Sequence, residues 1–97
     1  MYIYSNNKTI AECSSPKIVI SVLSKDTVMT SLEFTVFERI EQETVIDLLR
    51  NGMLFYDEFD ENFMKCPDFE DLYKVEIQHN PNLSQTIKIK YREEIKL

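Results

Sequence analysis

The sequence predicts an α+β fold, with a mainly antiparallel sheet of about five to six strands and two short helices between its fourth and fifth strands. Three observations lead to this. Apolar and polar residues alternate with a period of two in segments such as Val75-Glu76-Ile77-Gln78 and Ile87-Lys88-Ile89-Lys90. Between residues 42 and 66 the apolar spacing lengthens to the helical period. Pro16, Gly52, Pro67 and the asparagines at Asn6-Asn7 and Asn80-Pro81-Asn82 punctuate the segments.

Residues 2–13 read as a tight hairpin, because Asn6-Asn7 tolerates the positive φ of a two-residue turn; the simplest register pairs Ile3 with Ile10. After Pro16, residues 17–24 are apolar on both faces, which suits a strand in the middle of a sheet. Lys25-Asp26 makes the next turn. Residues 28–40 then place Leu32, Phe34 and Val36 on one face and Glu33 and Thr35 on the other, until Phe37 breaks the alternation with a bulge or a change of face.

A first helix is predicted over residues 42–51, with Val45, Ile46, Leu48, Leu49 and Met53 on one side. Glu41, Glu43 and Asp47 lie near its start, Arg50 near its end, and Gly52 serves as its cap. A second is predicted over residues 57–66, ending before Pro67. At the helical period Phe55, Tyr56, Phe59, Phe63 and Cys66 share a stripe about 100° wide, and Asp57, Glu58, Asp60 and Glu61 point elsewhere. The last two strands follow: Tyr73, Val75 and Ile77 alternate with Lys74, Glu76 and Gln78, and Ile87, Ile89 and Tyr91 with Lys88, Lys90 and Arg92. They form an antiparallel hairpin with one buried face, in which Glu76 faces lysines across the pair. The order is ββββααββ, in a single domain of residues 1–97, with 93–97 expected to fray.

Composition narrows the function. At 43% hydrophobic and 29% charged residues the chain has enough apolar content to fold. Its apolar runs are far shorter than the roughly 20 residues of a membrane span, and its N-terminus lacks the pattern of a secretory signal. A cytoplasmic protein with two reduced thiols, Cys13 and Cys66, is expected. Few glycines and alanines against many Ile, Lys, Asn and Glu suggest low-GC coding, as in a phage or a Gram-positive source.

Most catalytic and cofactor chemistry lacks its residues. The sole histidine, His79, sits beside a hairpin loop with no nucleophile motif around it. One glycine cannot build a phosphate-cradling loop. Two distant cysteines and one histidine do not make a zinc site, and the acids from Asp57 or from Asp60 miss the ligand spacing of a calcium loop. No catalytic residue, metal or cofactor is expected. Net charge −6 disfavours direct nucleic-acid binding, and the strip of Lys74, Lys88, Lys90 and Arg92 reads as a solvated strand face that discourages aggregation.

The charge excess is local. Residues 57–71 hold seven acids (Asp57, Glu58, Asp60, Glu61, Asp68, Glu70 and Asp71) against one base, Lys65, which leaves ten acids and ten bases elsewhere. Such crowding destabilises a helix by a few tenths of a kcal/mol per badly spaced pair. One reading is a solvated face that aids solubility. The sharper reading is a recognition surface for a basic partner, because a helix rising about 1.5 Å per residue presents charge at nearly the density of duplex DNA. Asp57, Glu58, Asp60, Glu61, Asp68, Phe69, Glu70 and Asp71 are the candidate contact residues, with Phe69 and Met64 as anchors and Tyr56 as an anchor or, more readily, a core residue. In size and charge the chain is similar to small acidic antagonists such as phage anti-defence and toxin-immunity proteins. The expectation is a non-enzymatic inhibitor that occupies the basic surface of a nuclease, a toxin or another nucleic-acid-binding protein. The alternative is an accessory subunit that docks or forms a homodimer through a sheet edge, with its acids only solvated.

Overall fold

The computed structural model describes residues 1–67 and 69–94. The elements follow as β1 (Tyr2–Ser5), β2 (Lys8–Glu12), β3 (Lys17–Val22), β4 (Thr27–Val36), α1 (Gln42–Arg50), β5 (Leu54–Asp57), β6 (Asn62–Lys65), a 3₁₀ turn (Phe69–Asp71), β7 (Leu72–His79) and β8 (Gln85–Glu94). The fold class is α+β, but the strands make two antiparallel four-stranded sheets, ordered β2-β1-β5-β6 and β3-β4-β8-β7, and the described residues contain one α-helix. The strand β8 runs through Glu94, within the stretch expected to fray, and 95–97 lie outside the described residues.

The two sheets share one core. Ile3, Ala11 and Phe55 enter it from the first sheet, Leu32, Phe34, Val36, Val75, Ile87, Ile89 and Tyr91 from the second, and Val45 and Leu49 from α1. Phe34 meets Phe55 edge-on with ring centroids 4.9 Å apart, an arrangement that aromatic quadrupoles favour, and so joins the sheets. Alternation in β4, β7 and β8 produces this face as the sequence predicts, and Glu76 bridges Lys74 at 2.8 Å and Lys90 at 3.3 Å on the opposite face. The helix α1 ends as its glycine dictates: Gly52 takes φ +83 and its amide donates to the Leu49 carbonyl at 3.2 Å. Where β4 ends, Phe37 turns to solvent, and Ile40 returns to the core with its amide donating to the buried Gln85 Oε1 at 2.7 Å.

Four expectations need correction. Asn6 and Asn7 make the first turn with positive φ, but a bulge between Ile3 and Tyr4 pairs Ile3 with Ala11 instead of Ile10. The strand β3, read as central, is an edge, with Ile18, Ile20 and Val22 exposed. Tyr73, expected on the buried face, is exposed where the register shifts between Leu72 and Lys74. Finally, residues 57–66 are no helix. They form the turn and second strand of a β5–β6 hairpin, in which Leu54 pairs with Lys65, Phe55 with Met64, Tyr56 with Phe63 and Asp57 with Asn62.

Candidate functional site

A four-residue turn, residues 58–61, connects β5 and β6 and carries Glu58, Phe59, Asp60 and Glu61. Asp57 holds it together: its Oδ1 accepts the Phe59 amide at 2.9 Å and the Asp60 amide at 3.4 Å, the side-chain-to-backbone bonding that lets aspartate start turns. Glu61 takes the left-handed conformation, φ 53, before the chain returns. The geometry throws Phe59 outward, and its side chain is 88% exposed at the apex.

Period-two geometry sorts the aromatics that a helical stripe would have kept together. Phe55 and Met64 point inward, so their neighbours Tyr56 and Phe63 take the outer face. There β1 adds Tyr2, opposite Tyr56, and Tyr4. Phe63, 53% exposed, lies with its ring centroid 4.9 Å from Tyr56 and 5.3 Å from Tyr4. The outer face of the first sheet therefore carries an aromatic patch of Tyr2, Tyr4, Tyr56 and Phe63, and the acidic turn stands at one end of it. The two features touch electrostatically: the charge of Glu58, with Glu12 adding to it, pushes the Tyr2 phenol above its ordinary value. Lys65, the single base of the segment, sits at the far end of the hairpin.

The remaining expected contact residues lie elsewhere. Glu70 and Asp71 are exposed on the 3₁₀ turn near the base of the hairpin, and Phe69 there is half-buried against the core, with the Arg50 guanidinium 5.2 Å from its ring centroid. Asp68 lies outside the described residues. Four-residue strands, at about 3.4 Å per residue, separate this group from the apical acids by roughly 13 Å along the hairpin. Asp57, Glu58, Asp60 and Glu61 are thus brought together around Phe59, and Phe69, Glu70 and Asp71 form a second group. Met64, expected as an anchor, packs against the core. Tyr2 and Tyr4 were not legible as site residues. Their signal is the outward parity of β1, which has meaning only once β5 is known as its neighbour.

Other chemistry is sparse. Gln85 Oε1 is committed to the Ile40 amide, so its Nε2 faces His79 Nδ1 at 3.3 Å, and that nitrogen must accept; the ring proton then sits on Nε2. Cys13 and Cys66 are free thiols, and burial pushes them up to about 11 and about 12. Among the described residues no three His, Cys, Asp or Glu side chains converge as metal ligands, and no helix is long and apolar enough to cross a membrane. Comparison with protein-family models, with curated proteins and with solved structures finds no match.

Proposed function

We propose that the protein is a non-enzymatic binding module whose apical hairpin inserts Phe59 into a basic surface of another protein, with the aromatic patch of the first sheet as the floor of the interface. The observation that carries this reading is Phe59, 88% exposed between Glu58 and Asp60 in a turn ordered by Asp57. Leaving an apolar ring exposed to water is unfavourable, so a large aromatic fixed at an apex fits a pocket-filling anchor. The carboxylates around it select the partner's charge and speed encounter.

The aromatic floor sharpens the preferred cation. Guanidinium stacks on phenol and phenyl faces while donating in pairs to a carboxylate, and an ammonium does neither as well. Tyr56 and Phe63, with Tyr2 against Glu58, supply both groups, so the reading favours an arginine-bearing surface, such as the nucleic-acid groove of a nuclease or toxin. The helical charge density that would mimic DNA does not carry over to a hairpin, whose strands rise about 3.4 Å per residue. The support is now an anchor with an acidic rim.

The test uses defined probes. Arginine-rich and lysine-rich peptides of equal length and charge are titrated while the tyrosine emission is followed; the chain has five tyrosines and no tryptophan. The arginine peptide should bind several-fold more tightly, weaken from 50 to 500 mM salt, and lose its advantage in a Phe59→Ser, Phe63→Ser double variant. Equal binding of the two peptides would sink the reading.

A further inference from the structure

We propose that β3 is a self-pairing edge, which joins antiparallel to β3 of a second copy about a twofold axis at Ile20 and extends the second sheet to eight strands. This inference is independent of the acidic hairpin, which belongs to the other sheet.

The two sheets have four edges, and three of them are blunted. Along β7, α1 packs and Gln42 Nε2 donates to the Val75 carbonyl at 2.8 Å, while Tyr73 bulges. The edge β2 begins and ends in charge, with Lys8 and Glu12, and is distorted by the bulge opposite Ile3 and Tyr4. The edge β6 has four residues and ends in Lys65. By contrast β3 is six residues long, and from Ile18 to Ser24 it bears no charge. Proteins ordinarily protect such an edge with lysine, proline or a bulge. Here Pro16 and Lys17 guard only its first end.

The apolar side chains lie on the side of the sheet that forms the core elsewhere. Directly paired residues share a face, so Ile18 continues the row of Leu32 and Ile89, and Ile20 that of Thr30 and Tyr91. Leu32, Ile89 and Tyr91 are covered, whereas Ile18, Ile20 and Val22 are 57%, 66% and 75% exposed. The inner face thus runs past the layer that covers it. An antiparallel copy matches the pattern: with Ile20 opposite Ile20, Ile18 meets Val22 and Lys17 meets Leu23, so one apolar row continues across the axis. Asp26 falls opposite Ser14 and Lys25 opposite Ser15, and no like charges are set face to face.

The footprint fixes the strength. Six residues at about 3.3 Å make an edge about 20 Å long; with a sheet layer about 10 Å thick this is about 200 Å² per copy, well below the roughly 800 Å² of a standard interface. The dimer is therefore one that dilution dissociates. Each copy carries net charge −6, so screening by salt favours the dimer, the opposite of the response expected for the acidic hairpin.

Sedimentation of the whole chain across micromolar to millimolar concentration tests the pairing. A monomer–dimer equilibrium is expected, unweakened by 500 mM salt, and Ile20→Lys, which sets two ammonium groups directly opposite, should raise its dissociation constant about tenfold or more. Ile20 is exposed, so circular dichroism should confirm an unchanged fold. Register is read by oxidation: Ile20→Cys places two thiols at cross-strand distance and should crosslink rapidly, while Val22→Cys, offset by about 13 Å from its own copy, should not. A monomer throughout, a dimer indifferent to Ile20→Lys, equal crosslinking at both positions, or an edge that takes only extended peptides would each overturn the proposal.

Discussion

The Phe59 amide donates to Asp57 Oδ1 at 2.9 Å, and with the weaker bond from Asp60 this turns the chain at the point where a helix was expected. A carboxylate at the first position of a turn replaces backbone acceptors that a helix would have used. Asp57→Ala should therefore cost about 0.5–1.5 kcal/mol in urea unfolding, while Asp57→Asn, which keeps an acceptor at the same place, should cost less. Equal losses for the two substitutions would mean that charge, not the bond, orders the turn. Glu61 offers the complement: with φ 53 it bears a strain that glycine lacks, and Glu61→Gly should stabilise by about 0.5–1 kcal/mol.

Gln85 ties the second sheet to the approach to α1. Its side chain is buried, and Oε1 accepts the Ile40 amide at 2.7 Å. Gln85→Leu keeps the volume but strands that amide without an acceptor, at a cost of about 1–3 kcal/mol. Hydrogen exchange gives the residue-level check. The Ile40 amide should be strongly protected in the parent and lose protection in the variant before the β4–β8 ladder does; protection that survives in both would show another acceptor.

Legibility followed the range of the interaction. The β7–β8 hairpin, the buried face of β4 and the helix α1 with its glycine end are local patterns, and period and capping residues suffice to read them. Residues 55–66 defeated the same reasoning. Phe55, Phe59 and Phe63 recur every fourth position, which suits a helix, yet Phe55 in one strand, Phe59 in a turn and Phe63 in the return strand suit a hairpin equally well; Asp57 and Asn62, both turn formers, were the deciding residues. The strand β3 shows a different limit. An apolar run on both faces records an affinity for burial without naming the neighbour, and here nothing described covers Ile18, Ile20 and Val22. The acidic residues of the site could be listed from the sequence, but their aromatic floor could not, because Tyr2 and Tyr4 join Tyr56 and Phe63 only through the long-range β1–β5 pairing.

Tyr91 is entirely buried, and its hydroxyl has no hydrogen-bond partner among the described residues. Burial, with Cys66 and Asp71 adding to it, holds its phenol well above the ordinary range. A buried hydroxyl without a partner loses its water and gains nothing in return. Tyr91→Phe should therefore leave stability unchanged or raise it by up to about 1 kcal/mol in denaturant unfolding. A loss greater than about 1 kcal/mol would reveal a partner for the hydroxyl.

The thiols set an alkaline limit. Burial is the main cause that lifts Cys66 to about 12 and Cys13 to about 11, from an ordinary 9.0. Between those values the unfolded chain releases thiol protons that the folded chain retains, so the unfolded state gains as pH rises. The thiol contribution to stability is complete below about pH 9 and is lost progressively as pH climbs toward the folded values. The unfolded Tyr91 phenol also begins to ionise as pH nears its ordinary 10.0, but that effect is common to the parent and to a variant without thiols, so the difference between the two isolates the cysteines. Urea midpoints from pH 8 to 9.8 should fall for the parent and fall less for a Cys13→Ala, Cys66→Ala variant, whatever the lower starting stability of that variant. A thiol reagent at pH 8 should label the folded protein far more slowly than the urea-unfolded chain. Parallel pH curves for the two proteins would show that the buried thiols carry no part of the alkaline loss.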